Sequence, residues 1–270
     1  MKFETGVDQT GAQQRAVRRH RVAQAPQSLD DSVAEEAPVA LVFNGISHAV
    51  MMVTPRQLEA FALGFALTEG LIAQAADVYD IEVASYSGSI AVSLTVAQQA
   101  FHDLKLQRRS MAGRSGCGVC GLESLEQIDL HPEPITTPPL HDDAQLVAAV
   151  ANAVAQFGQY QELMRVTGGV HAAGWCDAAG NVLQVCEDVG RHNALDKLIG
   201  VLAATGVDMR RGFVFMSSRA SYELVRKVAR MQIPLLATIS APSTLAIEVA
   251  SRAGVKLVSF CRQDACVEYT

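Results

Sequence analysis

The chain lacks any apolar run approaching the roughly 18 residues that a spanning helix requires. Its first 25 residues hold no apolar signal-peptide core, so the expectation is a protein that stays in the cytoplasm and does not engage a membrane. It also lacks a basic surplus. Its 22 Lys and Arg against 28 Asp and Glu leave a net charge of −6, the wrong sign for a general nucleic-acid binder. Nine Pro and 20 Gly among 270 residues exclude collagen-like and low-complexity chains. What the chain does have is 49% hydrophobic against 19% charged residues, enough to bury a core in one large domain or two modest ones. Six Cys in a cytosolic chain point to thiols, ligands or nucleophiles rather than to a disulfide framework.

Residues 1–35 differ from the rest. Arg15, Arg18, Arg19 and Arg21 are followed by Asp30, Asp31, Glu35 and Glu36, with little apolar periodicity. This reads as a flexible tail rather than a partner-binding arm. Residues 38–53 read as two strands about the Asn44-Gly45 hairpin signal. Thr54, Pro55 and Gln57 then have the spacing of a helix cap, which predicts a helix to about Ile72 with Leu58, Phe61 and Phe65 on its apolar side. Two more strands are expected in 79–96 about Ser87-Gly88.

The Pro-rich stretch from His131 to Pro139 divides this smaller α+β unit, 36–138, from a second unit, 139–270. There, Asp142 or Asp143 caps a helix to about Met164. Strands at 168–175, 182–187, 213–216, 235–239 and 256–260 alternate with helices from Arg191, at 221–231 and at 243–253. That order predicts an α/β fold with a parallel sheet. In such sheets ligands bind beyond the carboxyl ends of the strands. The segments there are Ser217 to Ser221, Ser240 to Ser243, and Cys261-Arg262. The Ser-rich turns either cap their helices or, with Arg219 and Arg262 beside them, bind a phosphate-bearing ligand.

Residues 113–121 hold Cys117 and Cys120 at C-x-x-C spacing among four glycines, beside Arg114 and ahead of a short helical pattern at 122–128. A nearby cation and helix N-terminus favour the reactive thiolate. The spacing serves a redox dithiol, half a zinc site or a sulfur-carrying persulfide pair. Zinc would need two more ligands, yet Cys261 and Cys266 are not C-x-x-C spaced and no H-x₃₋₅-H pair exists, so no metal site is expected. The literal G-x-G-x-x-G of 116–121 follows no clear strand. Gly168, Gly169 and His171 open a strand. Asp188, Arg191 and His192 lie in a strand-to-helix turn, whose polar groups can contact phosphate or a heterocycle edge. Cys176 and Cys186 read as small core residues.

On these residues the sequence resembles the formate dehydrogenase accessory sulfurtransferase (FdhD) family. The likeness runs over about 36–270. It rests on Thr54-Pro55 through Leu63-Gly64-Phe65 and Glu69-Gly70, the Cys117–Cys120 loop, TGGVHAA from Thr167, EDVGRHNALDK from Glu187, SRASYELV from Ser218, SAPSTLA from Ser240 and the closing Tyr269-Thr270. The resemblance implies a sulfurtransferase that takes persulfide sulfur from a cysteine desulfurase. It would pass that sulfur to the molybdenum bis(molybdopterin guanine dinucleotide) cofactor required by formate dehydrogenase, with Cys117 as carrier and Cys120 as its partner. It further implies a cytidine-deaminase-like, three-layer α/β/α C-terminal domain and a homodimer. The cofactor, or GDP-like nucleotides mimicking it, would contact Phe260, Cys261, Arg262, Gln263, Asp264 and Ala265 together with Gly168, Gly169, His171, Asp188, Arg191, His192, Ser218, Arg219 and Ser240. The chain departs from the family pattern at Ser217-Ser218-Arg219, where the middle residue is usually Gly, and at 262–266, which gains an acid.

Overall fold

The structure, a computed structural model, describes residues 10–101 and 132–270. Its first element is an antiparallel ribbon of β1 (Ala12–Arg19) and β2 (Gln27–Ala34). Residues 12–34 therefore form a hairpin where the sequence suggests a structureless tail. Most of its side chains face solvent, so burial leaves no periodic signal. The stabilising features are cross-strand, such as Arg15 opposite Asp31 and Val17 opposite Leu29.

A four-stranded sheet follows, with β3 (Ala37–Phe43), β4 (Ile46–Val53), β5 (Val78–Tyr86) and β6 (Ser89–Val96) in the order β4-β3-β6-β5. Both expected two-residue turns are present, and Gly45 and Gly88 each adopt a φ of 80° that suits a tight hairpin. Helix α1 (Leu58–Thr68) crosses behind this sheet. The expected cap at Thr54 is not used. The helix begins after Gln57, whose backbone is left-handed at φ 52°, and Thr54 is buried against the second unit. Tertiary partners take the groups that a local cap would have used.

The second unit opens with α2 (Asp143–Phe157). Asp142 caps it reciprocally with Gln145, the side chain of each residue bonding the other's backbone N–H. The helix stops at Gly158 instead of reaching Met164, and a separate short helix, α3 (Glu162–Thr167), follows. Then come β7 (His171–Asp177), β8 (Val182–Asp188), α4 (Arg191–Thr205), β9 (Gly212–Met216), α5 (Tyr222–Arg230), β10 (Leu235–Thr238), α6 (Thr244–Ala253), β11 (Lys256–Ser259) and a short β12 (Val267–Glu268). They form one sheet in the order β12-β11-β10-β9-β7-β8. Strands β9, β10 and β11 are parallel, as expected. β7 and β8 pair antiparallel because the turn joining them is far too short for a crossover, and β12 adds antiparallel to β11.

This sheet is buried on both faces. Phe213 and Phe215 of β9 pack toward α2 with Leu146, Val150 and Phe157, while Val214 and Met216 face α4, α5 and α6. The second layer of helices also receives α1 and the inner face of the first sheet, so a single apolar core spans both units. Two glycines make this possible. A Cβ on Gly64 would lie 1.7 Å from the Asp196 carbonyl oxygen, and one on Gly200 would lie 1.8 Å from that of Ala60. Helices α1 and α4 therefore touch backbone to backbone.

Candidate functional site

The carboxyl ends of β9, β10 and β11 lie at one edge of the six-stranded sheet. Because β7 runs the other way, its beginning reaches the same edge, and His171 pairs there with Asp188 at the end of β8. The fold thus collects Gly168, Gly169, His171, Asp188, Arg191, His192, Ser218, Arg219, Ser240 and residues 260–265 along that edge, from parts of the chain nearly a hundred residues apart. Cys117 and Cys120 lie outside the described residues.

The Ser-rich turns are held by the sheet itself. Ser217 Oγ accepts a bond of 2.8 Å from the Ala172 N–H, and the Ser217 N–H donates to the Ala172 carbonyl. Ala220 and Pro242 bridge in parallel, so the turns after β9 and β10 run side by side. Ser243 caps α6 by accepting from the Ala246 N–H at 3.2 Å, the plain capping role. Ser218 is buried, whereas Arg219 and Ser240 are exposed. Beyond β11, Phe260 is exposed in a left-handed conformation at φ 52°. Arg262 Nη1 donates to the carbonyls of Ile239 and Cys261, each at 2.8 Å, which orients its guanidinium at this edge.

The two imidazoles are uncharged at neutral pH. Burial, reinforced by the Arg191 guanidinium, pushes His171 below its ordinary value, with Asp188 opposing. Burial together with Arg191 and Lys227 pushes His192 down to about 3. His192 Nε2 lies 3.4 Å from Ser221 Oγ and 3.8 Å from Glu223 Oε2. Neutral imidazoles beside the Arg191, Arg219 and Arg262 guanidiniums make a surface suited to an anion with a polar heterocycle, at which Asp264 is the acidic exception.

Asp188 plays a different part from the one expected. It is wholly buried. Its oxygens accept from Lys197 Nζ at 2.7 Å, the Gly190 N–H at 2.8 Å, Asn193 Nδ2 at 2.9 Å and the Thr54 N–H at 3.0 Å. With its capacity spent on those donors, Asp188 holds the turn that carries Arg191 and His192 and cannot touch a ligand itself. Cys261 is likewise buried, its thiol pushed up to about 12 by desolvation, so only its backbone can face a ligand. Cys176 and Cys186 are buried core thiols, as expected.

Sequence reading missed two buried polar clusters. One ties Thr54 to Asp188, Asn193 and Lys197. The other joins Glu69, Thr68, Asp196, Arg226 and Lys227, with Lys227 Nζ at 2.7 Å from Glu69 and 2.9 Å from Asp196. These cations hold the Glu69 carboxyl well below the usual carboxylate range against the opposing effect of burial. The available signal was the Asp196-Lys197 pair interrupting the apolar run of α4, since charged residues there must be partnered. Among the described residues there are clefts of about 460, 410 and 230 Å³. They lie beside the β1–β2 ribbon, beside Arg226 and Arg230, and beside Tyr160 and Gln184. None of the candidate residues at the sheet rim lines these clefts.

A three-layer α/β unit with an anion-suited rim, joined through one core to a smaller sheet, defines the class. The FdhD/NarQ family profile matches residues 34–270, and the chain belongs to that family. A protein of Burkholderia mallei named sulfur carrier protein FdhD is 55% identical over 274 residues, covering 100% of this chain and 99% of that one. One of the same name from Chromobacterium violaceum is 61% identical over 242 residues, covering 89% of this chain and 88% of its own. A crystal structure described as a formate dehydrogenase accessory protein, from Desulfotalea psychrophila, superposes with a TM-score of 0.72 at 23% identity over 96% of each chain, which establishes a shared fold. Among the described residues no helix is long and apolar enough to cross a membrane.

Proposed function

We propose that this protein is a sulfur carrier acting in the maturation of formate dehydrogenase. The observation that carries the reading is the near-complete alignment with relatives named sulfur carrier protein, at 55% and 61% identity, in a chain that keeps a C-x-x-C pair in a Gly-rich stretch. Cys117 is the carrier and Cys120 assists or resolves. The Cys117 thiolate attacks the outer sulfur of a persulfide on a cysteine desulfurase. A new S–S bond forms at Cys117, and the donor cysteine leaves as its thiolate.

The acceptor substrate is the molybdenum bis(molybdopterin guanine dinucleotide) cofactor, bound at the sheet rim before its delivery. Arg191, Arg219 and Arg262 suit its diphosphates, and the neutral His171 and His192 with Ser240 suit the polar edges of a heterocycle. Gly168 and Gly169 leave room for close approach, and Phe260 to Ala265 border the far end of the rim. Ser218 and Asp188 act from beneath by holding the turns. The protein works in the cytoplasm as a homodimer.

The test is intact mass after incubation with a cysteine desulfurase and cysteine, for the wild type and Cys117→Ala. A reductant-sensitive gain of one sulfur atom, lost in the variant, is expected. No gain in the wild type beside a competent desulfurase would leave a chaperone that holds and delivers the cofactor without sulfurating it.

A further inference from the structure

The segment after β11 contains a second pair of thiols, which the sulfur-carrier reading does not use. Strand β12 pairs with β11 so that Ser259 faces Val267. Three residues further on, the Arg262 N–H donates to the Ala265 carbonyl at 2.7 Å. Between these two pairings the β11 side has two residues, Phe260 and Cys261, and the β12 side has one, Cys266. That count is a β-bulge, and the left-handed Phe260 occupies the position where bulges of this kind place such a residue. The bulge shifts the register by one and sets Cys261 across from Cys266 on either side of the turn Arg262–Ala265.

Both side chains then point the same way. Cys261 is part of the apolar cluster beneath α2, and Cys266 packs against that cluster. Residues opposite one another next to a hydrogen-bonded pair have Cα atoms about 4.5–5.5 Å apart, inside the 4.4–6.8 Å that a disulfide spans. Both thiols are free. Cys261 is buried while Cys266 is half-buried, so one sulfur is open to a reagent and its partner waits behind it.

We propose that Cys261 and Cys266 form a redox-active dithiol that closes reversibly to a disulfide across the Arg262–Ala265 turn, with a low-molecular-weight disulfide such as glutathione disulfide as oxidant. The Cys266 thiolate attacks the S–S bond of glutathione disulfide, forming a mixed disulfide and releasing one glutathione thiolate. Cys261 then loses its proton, and its sulfur displaces the second glutathione. Two protein thiols are oxidised, and one glutathione disulfide is reduced to two thiols. A four-residue loop gains little closure entropy from the bridge, so excess thiol reopens it. The closed form fixes the turn bearing Arg262 and Asp264. The dithiol does not depend on sulfur carriage at Cys117, and its test is separate.

Tryptic mapping of the full chain distinguishes the possibilities, because cleavage after Lys256 and Arg262 puts the two cysteines in peptides 257–262 and 263–270, whereas Cys117 and Cys120 share peptide 115–165. After treatment of the wild type with glutathione disulfide, peptides 257–262 and 263–270 are expected to be linked, and dithiothreitol should separate them. The link should be absent in Cys266→Ser. Its initial rate should rise about tenfold per pH unit between pH 7 and 8, following the thiolate fraction. Glutathione retained on Cys266 with Cys261 free, or both thiols unchanged while Cys117 and Cys120 react, would overturn the proposal.

Discussion

Lys197 Nζ lies 2.7 Å from Asp188 Oδ2, and neither side chain is exposed to solvent. The same ammonium donates to the Thr54 carbonyl at 2.8 Å, while the Thr54 hydroxyl accepts from the Val189 N–H at 3.1 Å. One residue of the first unit is thus sewn into the turn that carries Arg191 and His192. Removing one partner of a buried ion pair strands the other charge, which costs about 3–5 kcal/mol. Lys197→Met should lower urea-unfolding stability by about that amount. Adding Asp188→Asn should recover part of the loss, and the double-mutant cycle would then report the coupling. Independent, additive losses would mean that the pair is not coupled as its geometry indicates.

The crossing of α1 and α4 gives a sharper structural test. Gly200→Ala forces a methyl group into the space held by the Ala60 carbonyl, and overpacking of this kind costs about 1–3 kcal/mol or more. Gly158→Ala is the control. Its Cβ meets nothing within 4 Å and its φ is −60°, so the change should be neutral or stabilising by up to about 1 kcal/mol. Thermal melts of both variants read the contrast.

Acid should destabilise the protein from just below neutrality. His192 is held neutral down to about pH 3, whereas in the unfolded chain it takes a proton near its ordinary value of 6.5. Between those values the unfolded state binds more protons, so stability falls as pH falls, by about 2 kcal/mol at pH 5 from this residue. Glu69, whose carboxyl is depressed, adds a loss of the same sign below about pH 4.5. The urea midpoint should therefore drop between pH 6.5 and 5, and His192→Gln should flatten that part of the curve. A wild-type midpoint that is level over this range would contradict the neutral, buried imidazole.

At the rim, the Arg219 side chain is exposed, while its backbone carbonyl, which a substitution to Ala keeps, accepts from Ser218 Oγ at 3.1 Å. With GDP as the probe, Arg219→Ala should weaken binding about 10- to 100-fold, the worth of charge-assisted bonds to phosphate, and leave the melting temperature unchanged. Arg210→Ala, in the turn leading into the opposite end of β9, should bind GDP like the wild type. Equal loss in both, measured by calorimetry, would mean that binding follows net charge and not the rim.

The sequence alone placed most elements of the second unit, because strands that are buried on both faces and a helix opened by Asp142 leave periodic and capping signals, although the helix expected to reach Met164 breaks at Gly158 into two. It also marked the segments that follow β9, β10 and β11 to the sheet rim, since open parallel sheets expose the carboxyl ends of their strands and Ser-rich turns opening helices are locally legible, whereas 168–171 and 188–192 reach that rim only through the antiparallel course of β7. Whatever depended on partners far along the chain was decided by tertiary structure. The β1–β2 ribbon has almost no buried side chains to give it a period. Thr54 reads as a helix cap in isolation but bonds Val189 and Asp188, some 135 residues away. Asp188 reads as a ligand contact, yet only the approach of Lys197, Asn193 and Thr54 shows that its carboxylate is fully used. The facing of Cys261 and Cys266 depends on a one-residue bulge, which changes register without changing composition. Local chemistry fixes elements and turns, whereas the pairing of charges, the contact of two helix backbones and the register of a hairpin are properties of distances that exist only once the chain has folded.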